Sequence, residues 1–89
     1  MGGRMNKRKR EDEKLLKQNR PKVLERDCYS CVLCGGHYGL AIHHIVFRSQ
    51  LGKSTVDNLA CLCLQCHNEA HGVNAKEIRT RLLETVRVK

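Results

Sequence analysis

The apolar pattern along the chain changes character three times. Residues 1–20 are almost wholly polar, with one Leu-Leu pair and many helix formers. They read as a frayed helix or a disordered arm. Pro21 marks a boundary, because residues preceding proline avoid the helical region. "KVLERD" adds at most one further turn. "CYSCVLCGGHYG" (28–39) is a turn region with Gly35, Gly36 and Gly39. "LAIHHIVF" (40–47) is rich in β-branched and apolar residues and predicts a strand. "RSQLGKSTVDN" (48–58) is a polar loop, and "LACLC" (59–63) a short second strand. "LQCHNEAH" (64–71) opens a helix that Gly72 ends. In "NAKEIRTRLLETVRVK" (74–89), Ile78, Leu82 and Val86 recur every four residues, which predicts a last helix with one packing stripe. Asn74 and Glu77 form a capping-box pattern at its start.

The pattern accounts for little core. The chain has 89 residues with one Phe, two Tyr and no Trp. One domain of this size buries little apolar surface and needs a staple. Six cysteines are available for it. The first stretch is charged and lacks an apolar h-region, and no run is long enough to span a membrane. A cytoplasmic chain with paired cysteines points to zinc rather than disulfides.

Charge is uneven. Residues 1–26 carry ten Lys or Arg against four acids, and residues 27–89 carry seven against five, so the two parts stand at +6 and +2. The excess is densest at Lys7, Arg8, Lys9 and Arg10. Such a stretch attracts phosphate polyanions by counterion release, without reading base sequence. The competing reading is a solvated tail, in part an expression remnant, since a second Met at position 5 follows "MGGR". The expected division is therefore a basic arm over 1–22 and one domain over 23–89.

Cys31-x2-Cys34 and Cys63-x2-Cys66 have the spacing of two knuckles. Each CxxC turn points two sulfurs at one point, and together they complete a tetrahedron around Zn2+. Cys61 reads as a buried small apolar residue. Cys28 is either a free thiol or a competitor of Cys31 for the metal.

Four thiolates satisfy the zinc and leave five histidines over. His67 and His71 are i and i+4 on the expected helix, so they share a face, a spacing that suits two imidazoles on one metal. Cys66 and His67 leave the helix about 100° apart, so the sulfur faces the zinc while the ring faces elsewhere. His43 and His44 are neighbours on a strand and point to opposite faces, which gives them different tasks. Two metals, approached from two directions, are expected. His37 reads as a surface residue.

The order of "CVLCGG", "AIHHIVFRS" and "DNLACLCLQCHNEAH" resembles the HNH endonuclease family over about residues 28 to 72. That resemblance implies a small α+β fold: a ββα-metal hairpin and helix, stapled by a zinc site of four cysteines and flanked by the basic arm or helix and a C-terminal helix. It implies His44 as general base, His43 and His67 as ligands of a catalytic divalent ion, and Asn58 as the residue that holds the base imidazole and its loop. His71 matches the additional helix histidine of the colicin nuclease branch. The activity implied is hydrolysis of DNA phosphodiester bonds, nicking or cutting with low sequence specificity, leaving 5′-phosphate and 3′-hydroxyl ends. Arg48 follows the first strand, either to hold the scissile phosphate or as a solvated loop residue; Lys53 is placed to contact DNA backbone. Where many relatives carry a second glycine in this loop, "LGKS" has one.

Three imidazoles favour Ni2+, Mn2+, Co2+ or Zn2+ over Mg2+, although relatives also work with Mg2+. The rival reading is a non-catalytic zinc-knuckle module that grips nucleic acid through the arm. DNA is the expected partner, with no membrane, in a bacterial or phage-infected cytoplasm, as a monomer or weak dimer. Partners in phage packaging or restriction are compatible with the resemblance, and nothing in the residues selects them.

Overall fold

In the computed structural model, residues 7–87 are described. The element order is α1 (Lys7–Arg26), β1 (Ala41–His44), β2 (Leu59–Leu62), α2 (Leu64–Ala70) and α3 (Ala75–Arg87), with short 3-10 turns at Arg48–Gln50 and Val56–Asn58. β1 and β2 pair antiparallel, with Ala41 opposite Leu62, Ile42 opposite Cys61, His43 opposite Ala60 and His44 opposite Leu59. The protein is a small α+β domain built on one hairpin.

Because side chains alternate across a strand, the hairpin sorts its residues onto two faces. Ala60 and Leu62 join Ile45, Ala70, Ile78, Leu82 and Val86 in the main core, under α2 and α3. His43, directly opposite Ala60, shares that face. Leu59 and Cys61 face the other way, and both are fully buried, as is Val23 of α1. The expected stripe Ile78–Leu82–Val86 is the buried face of α3, and the Ile78 amide donates to the Asn74 carbonyl at 3.0 Å, which starts that helix at the expected residue. Cys61 is a buried strand residue, as its alternation with Leu62 suggests.

The N-terminal region departs from expectation. Residues 7–26 are one continuous helix with Pro21 inside it, so the boundary placed at Pro21 is not a break in structure. Proline removes one N–H from the helix and leaves the Lys17 carbonyl without its usual partner, a cost of about 3 kcal/mol. Tertiary contacts on both sides of it offset that cost. Asn19 Nδ2 donates to the Ser54 carbonyl at 2.8 Å. Arg26 donates to the carbonyls of Val56 and Leu59 at 2.9 and 2.7 Å. Arg26 also pairs with Asp27 at 2.8 Å, and Asp27 accepts the Cys61 amide at 3.0 Å. The part of the basic arm before Lys7 lies outside the described residues.

Candidate functional site

The first constellation is the sulfur cluster. The Cys31 and Gly35 backbones close the first knuckle through Cys31 N–H to Gly36 O and Gly35 N–H to Cys31 O, both 2.8 Å. Gly35 takes φ +77°, a left-handed turn that a side chain resists. The second knuckle opens α2, where Cys63 Sγ caps the helix by accepting the Cys66 amide. The metal-binding atoms of Cys31, Cys34, Cys63 and Cys66 all lie within 4.8 Å of one another. Cys34 Sγ and Cys63 Sγ are 3.6 Å apart. Tetrahedral Zn–S bonds of about 2.3 Å space sulfurs about 3.8 Å apart, so the four are positioned for zinc. Charge points the same way. Burial opposes ionisation of Cys31, yet amides of Cys63, Cys34 and Leu33 outweigh it and bring the thiol down to about 7. Burial and the neighbouring sulfurs push the Cys66 thiol well up. Packed thiols thus resist ionising together, and a dication removes that resistance. Cys28 is exposed, has φ +57°, and is not in the four-sulfur group.

The second constellation is imidazole. His43 from β1 meets His67 of α2 and His71 just beyond it. Their ring centroids are 5.2 Å (His43–His67), 5.3 Å (His43–His71) and 4.9 Å (His67–His71) apart. One nitrogen from each lies within 4.8 Å of the others. His67 Nε2 and His71 Nε2 are 3.3 Å apart, close to the spacing that metal–nitrogen bonds of about 2.0–2.1 Å require. Burial, reinforced by the charges of His67, His71 and His44, pushes His43 down to about 4. Burial and His71 lower His67 as well. Both rings are therefore neutral near pH 7, the form that binds metal. Phe47 walls this trio: it stacks on His71 at 5.0 Å with planes 16° apart and meets His43 edge-on at 5.9 Å. The chain's one phenylalanine was not singled out from the sequence. A hydrophobe at a strand end carries no signal that it will touch a histidine.

His44 occupies the opposite face, toward α1. Its Nε2 lies 2.9 Å from Ser54 Oγ. Burial lowers its pKa, helped by the Arg48 cation and opposed by Asp12 and Glu13. Asn58 does not hold this ring. Its carboxamide accepts the Val46 amide at 2.8 Å and donates to the carbonyls of Val46 and Lys53 at 3.1 and 2.8 Å. It clamps the two ends of the loop after β1, and Ser54 takes the imidazole. An amide side chain has donors and an acceptor, which two backbone strands saturate.

The same loop needs its single glycine. A Cβ on Gly52 would lie 1.8 Å from the Val46 carbonyl oxygen. Arg48 stands at the loop's start, with Nε 3.4 Å from Asp12 Oδ2 and a terminal nitrogen 2.8 Å from Glu13 Oε1. Asp12 also accepts from the Ser54 hydroxyl and amide, both at 2.8 Å. Burial works against the Asp12 carboxylate, but those two bonds and the Arg48 and His44 charges hold it below the usual range. Asp12, Glu13 and Ser54 were missed from the sequence. The one available hint is that "EDE" interrupts a basic run, and nothing local pairs position 12 with position 54.

Between α1 and the loop lies a cleft of about 670 Å³, lined by Arg8, Lys9, Arg48 and Lys53 and by Glu11, Asp12 and Glu13. Lys7 and Arg10 are exposed on the first turns of α1. The expected phosphate-binding residues are therefore carried on one ordered helix and on the loop it covers. His37 is exposed and stays clear of both clusters, and its Nδ1 lies 2.9 Å from the Tyr29 carbonyl oxygen. No helix among the described residues is long and apolar enough to cross a membrane.

The family model described as HNH endonuclease matches residues 31–72, which run from the first zinc-knuckle cysteine to the end of the histidine helix. The chain is also 35% identical over 66 residues to EcoKMcrA, a type IV methyl-directed restriction enzyme of Escherichia coli (strain K12). That alignment takes 63% of this chain and 24% of the relative, so the chain spans about a quarter of that protein's length.

Proposed function

Since the HNH endonuclease family model matches residues 31–72, we propose that the chain is a metal-dependent DNA endonuclease with a histidine general base. The observation that carries this is the separation of donors. Four sulfurs converge under one end of α2, three imidazoles converge beside it, and His44 belongs to neither group.

His43, His67 and His71 hold a divalent ion, with transition ions such as Mn2+, Ni2+, Co2+ or Zn2+ favoured over Mg2+ by the nitrogen donors. Bound there, such an ion supplies Lewis-acid polarisation of a phosphate oxygen. His44 accepts the proton of the attacking water, and burial keeps its ring neutral and ready near pH 7. Arg48 offers a guanidinium to the phosphate from the lip of the cleft. Asn58 keeps the loop that bears Arg48 and Lys53 closed. Lys7, Arg8, Lys9, Arg10 and Lys53 attract the DNA backbone without reading bases. Cys31, Cys34, Cys63 and Cys66 hold structural Zn2+ and so keep α2 against the hairpin. Expected products carry 5′-phosphate and 3′-hydroxyl ends, and the setting is the cytoplasm of a bacterium or infected host.

The test is nicking of supercoiled plasmid by metal-stripped protein as Mg2+, Mn2+, Ni2+, Co2+ or Zn2+ is returned. Restored nicking, abolished by His44→Ala, is the expected result. Retarded plasmid with no nicking at any metal identifies a zinc-knuckle binding module instead.

A further inference from the structure

We infer that Asp12 and Ser54 are positioning residues that set the tautomer of His44, so that helix α1 completes the site that the matched segment leaves unfinished. This rests on the proposed role of His44 as general base.

A count of hydrogens fixes the direction of each bond. Ser54 has one hydroxyl hydrogen and two lone pairs. Asp12 Oδ2 lies 2.8 Å from Ser54 Oγ, and Asp12 Oδ1 accepts the Ser54 amide at 2.8 Å. A carboxylate accepts only, so the hydroxyl hydrogen points to Asp12. The contact of His44 Nε2 with Ser54 Oγ, 2.9 Å long, must then be donated by the ring. Nε2 carries the hydrogen, and in the neutral imidazole Nδ1 is left as the bare base.

The surroundings make this chain rigid. Ser54 is fully buried, its carbonyl accepts from Asn19 at 2.8 Å, and the neighbouring Lys53 carbonyl is held by Asn58. Asn19 and Asp12 both belong to α1, so the helix grips Ser54 by its amide, carbonyl and hydroxyl. Asp12 is held ionised by the same two bonds and by Arg48.

The step balances without a co-reactant. Water loses a proton to Nδ1 as its oxygen bonds to phosphorus. The 3′-oxygen departs with its bonding pair and is protonated by solvent. The ring becomes a cation that still donates through Nε2 to Ser54, with the Asp12 charge behind it.

Asp12→Asn probes this cleanly. The Asn oxygen can keep the Ser54 amide, while its NH2 group faces the Ser54 oxygen as a donor. The hydroxyl then turns to donate to His44 Nε2, and the ring hydrogen moves to Nδ1. Two-bond 1H–15N spectra of the zinc-loaded full chain, taken where imidazoles are neutral, read the tautomer of His44. Wild type should show Nε2–H and Asp12→Asn should show Nδ1–H. With plasmid, Asp12→Asn should lose roughly 10- to 100-fold in kcat, as removal of an orienting partner does, with KM for DNA within about twofold. Ser54→Ala, which only removes an atom, should lower kcat similarly with thermal unfolding still cooperative.

An Nδ1–H ring in the wild type overturns the inference. So does an Asp12→Asn protein that keeps the wild-type tautomer, or one whose ring inverts while kcat stays unchanged. If Asp12→Asn fails to fold, Ser54→Ala decides by the same readouts: unchanged tautomer and kcat overturn the inference. If no metal restores nicking even to wild type, the nuclease reading fails by itself, and the spectra still decide whether the relay sets the ring.

Discussion

The two faces of the hairpin are built in different ways. On the α2 and α3 face, His43, His67, His71 and the four cysteines come from short motifs, and Ala60, Leu62, Ile78 and Leu82 pack behind them. On the α1 face, His44 is surrounded by residues drawn from far along the chain, with Asp12 bonded to Ser54 across 42 positions and Asn19 to the same residue across 35. Metal donors need only converge: a two-residue turn or one helical repeat pairs them locally, and the hairpin joins the two cysteine pairs and brings His43 to the helix histidines. A base needs a defined hydrogen on a defined nitrogen, and that takes partners that must be brought in. Damage to the first face should therefore remove structure, and damage to the second should remove chemistry while structure persists.

Loss of a zinc ligand is the largest expected effect. Cys63→Ser should cost more than about 4 kcal/mol and abolish cooperative thermal unfolding. A retained melting transition with a full complement of zinc would erase the contrast between the faces. Next is His44→Ala, which should lower kcat by roughly 10²- to 10⁴-fold with circular dichroism and zinc content unchanged. If the same variant also sheds metal, the base and ligand faces are not separable.

Gly52→Ala ranks third. Its Cβ must displace the Val46 carbonyl, so the loop shifts, and a calorimetric loss of about 1–3 kcal/mol should accompany reduced nicking. Unchanged nicking would show that the loop's path matters less to Arg48 than the Asn58 clamp implies. The smallest effect belongs to Lys53→Ala. It should weaken DNA binding uniformly across sequences and reduce the salt slope by about one. A sequence-selective loss would mean that Lys53 reads bases rather than backbone.

Legibility followed the same division. The two CxxC turns, the i and i+4 histidines and the four-residue stripe of α3 were all readable, because each is a spacing. The opposite faces of His43 and His44 were readable as well, because a strand alternates. Pro21 misled, since its local cost is real but smaller than the anchoring that Asn19, Val23 and Arg26 provide. Asn58 was half legible: its loop could be anticipated, and its detachment from the imidazole could not. Phe47 beside His71 left no trace in sequence, and Asp12 beside Ser54 left only the acidic break in the basic run.

What the chain determines by itself is which neighbouring donors can share an ion: spacing within a CxxC turn or a helix pairs two of them at bonding distance, and the hairpin then brings Cys31 and Cys34 to Cys63 and Cys66, and His43 to His67 and His71. Only the tertiary structure decided which hydrogen sits on His44 and which residue holds it. Hydrogen-bond polarity is settled by the whole ring of partners around an atom, and here those partners arrive from a helix that begins outside the matched segment.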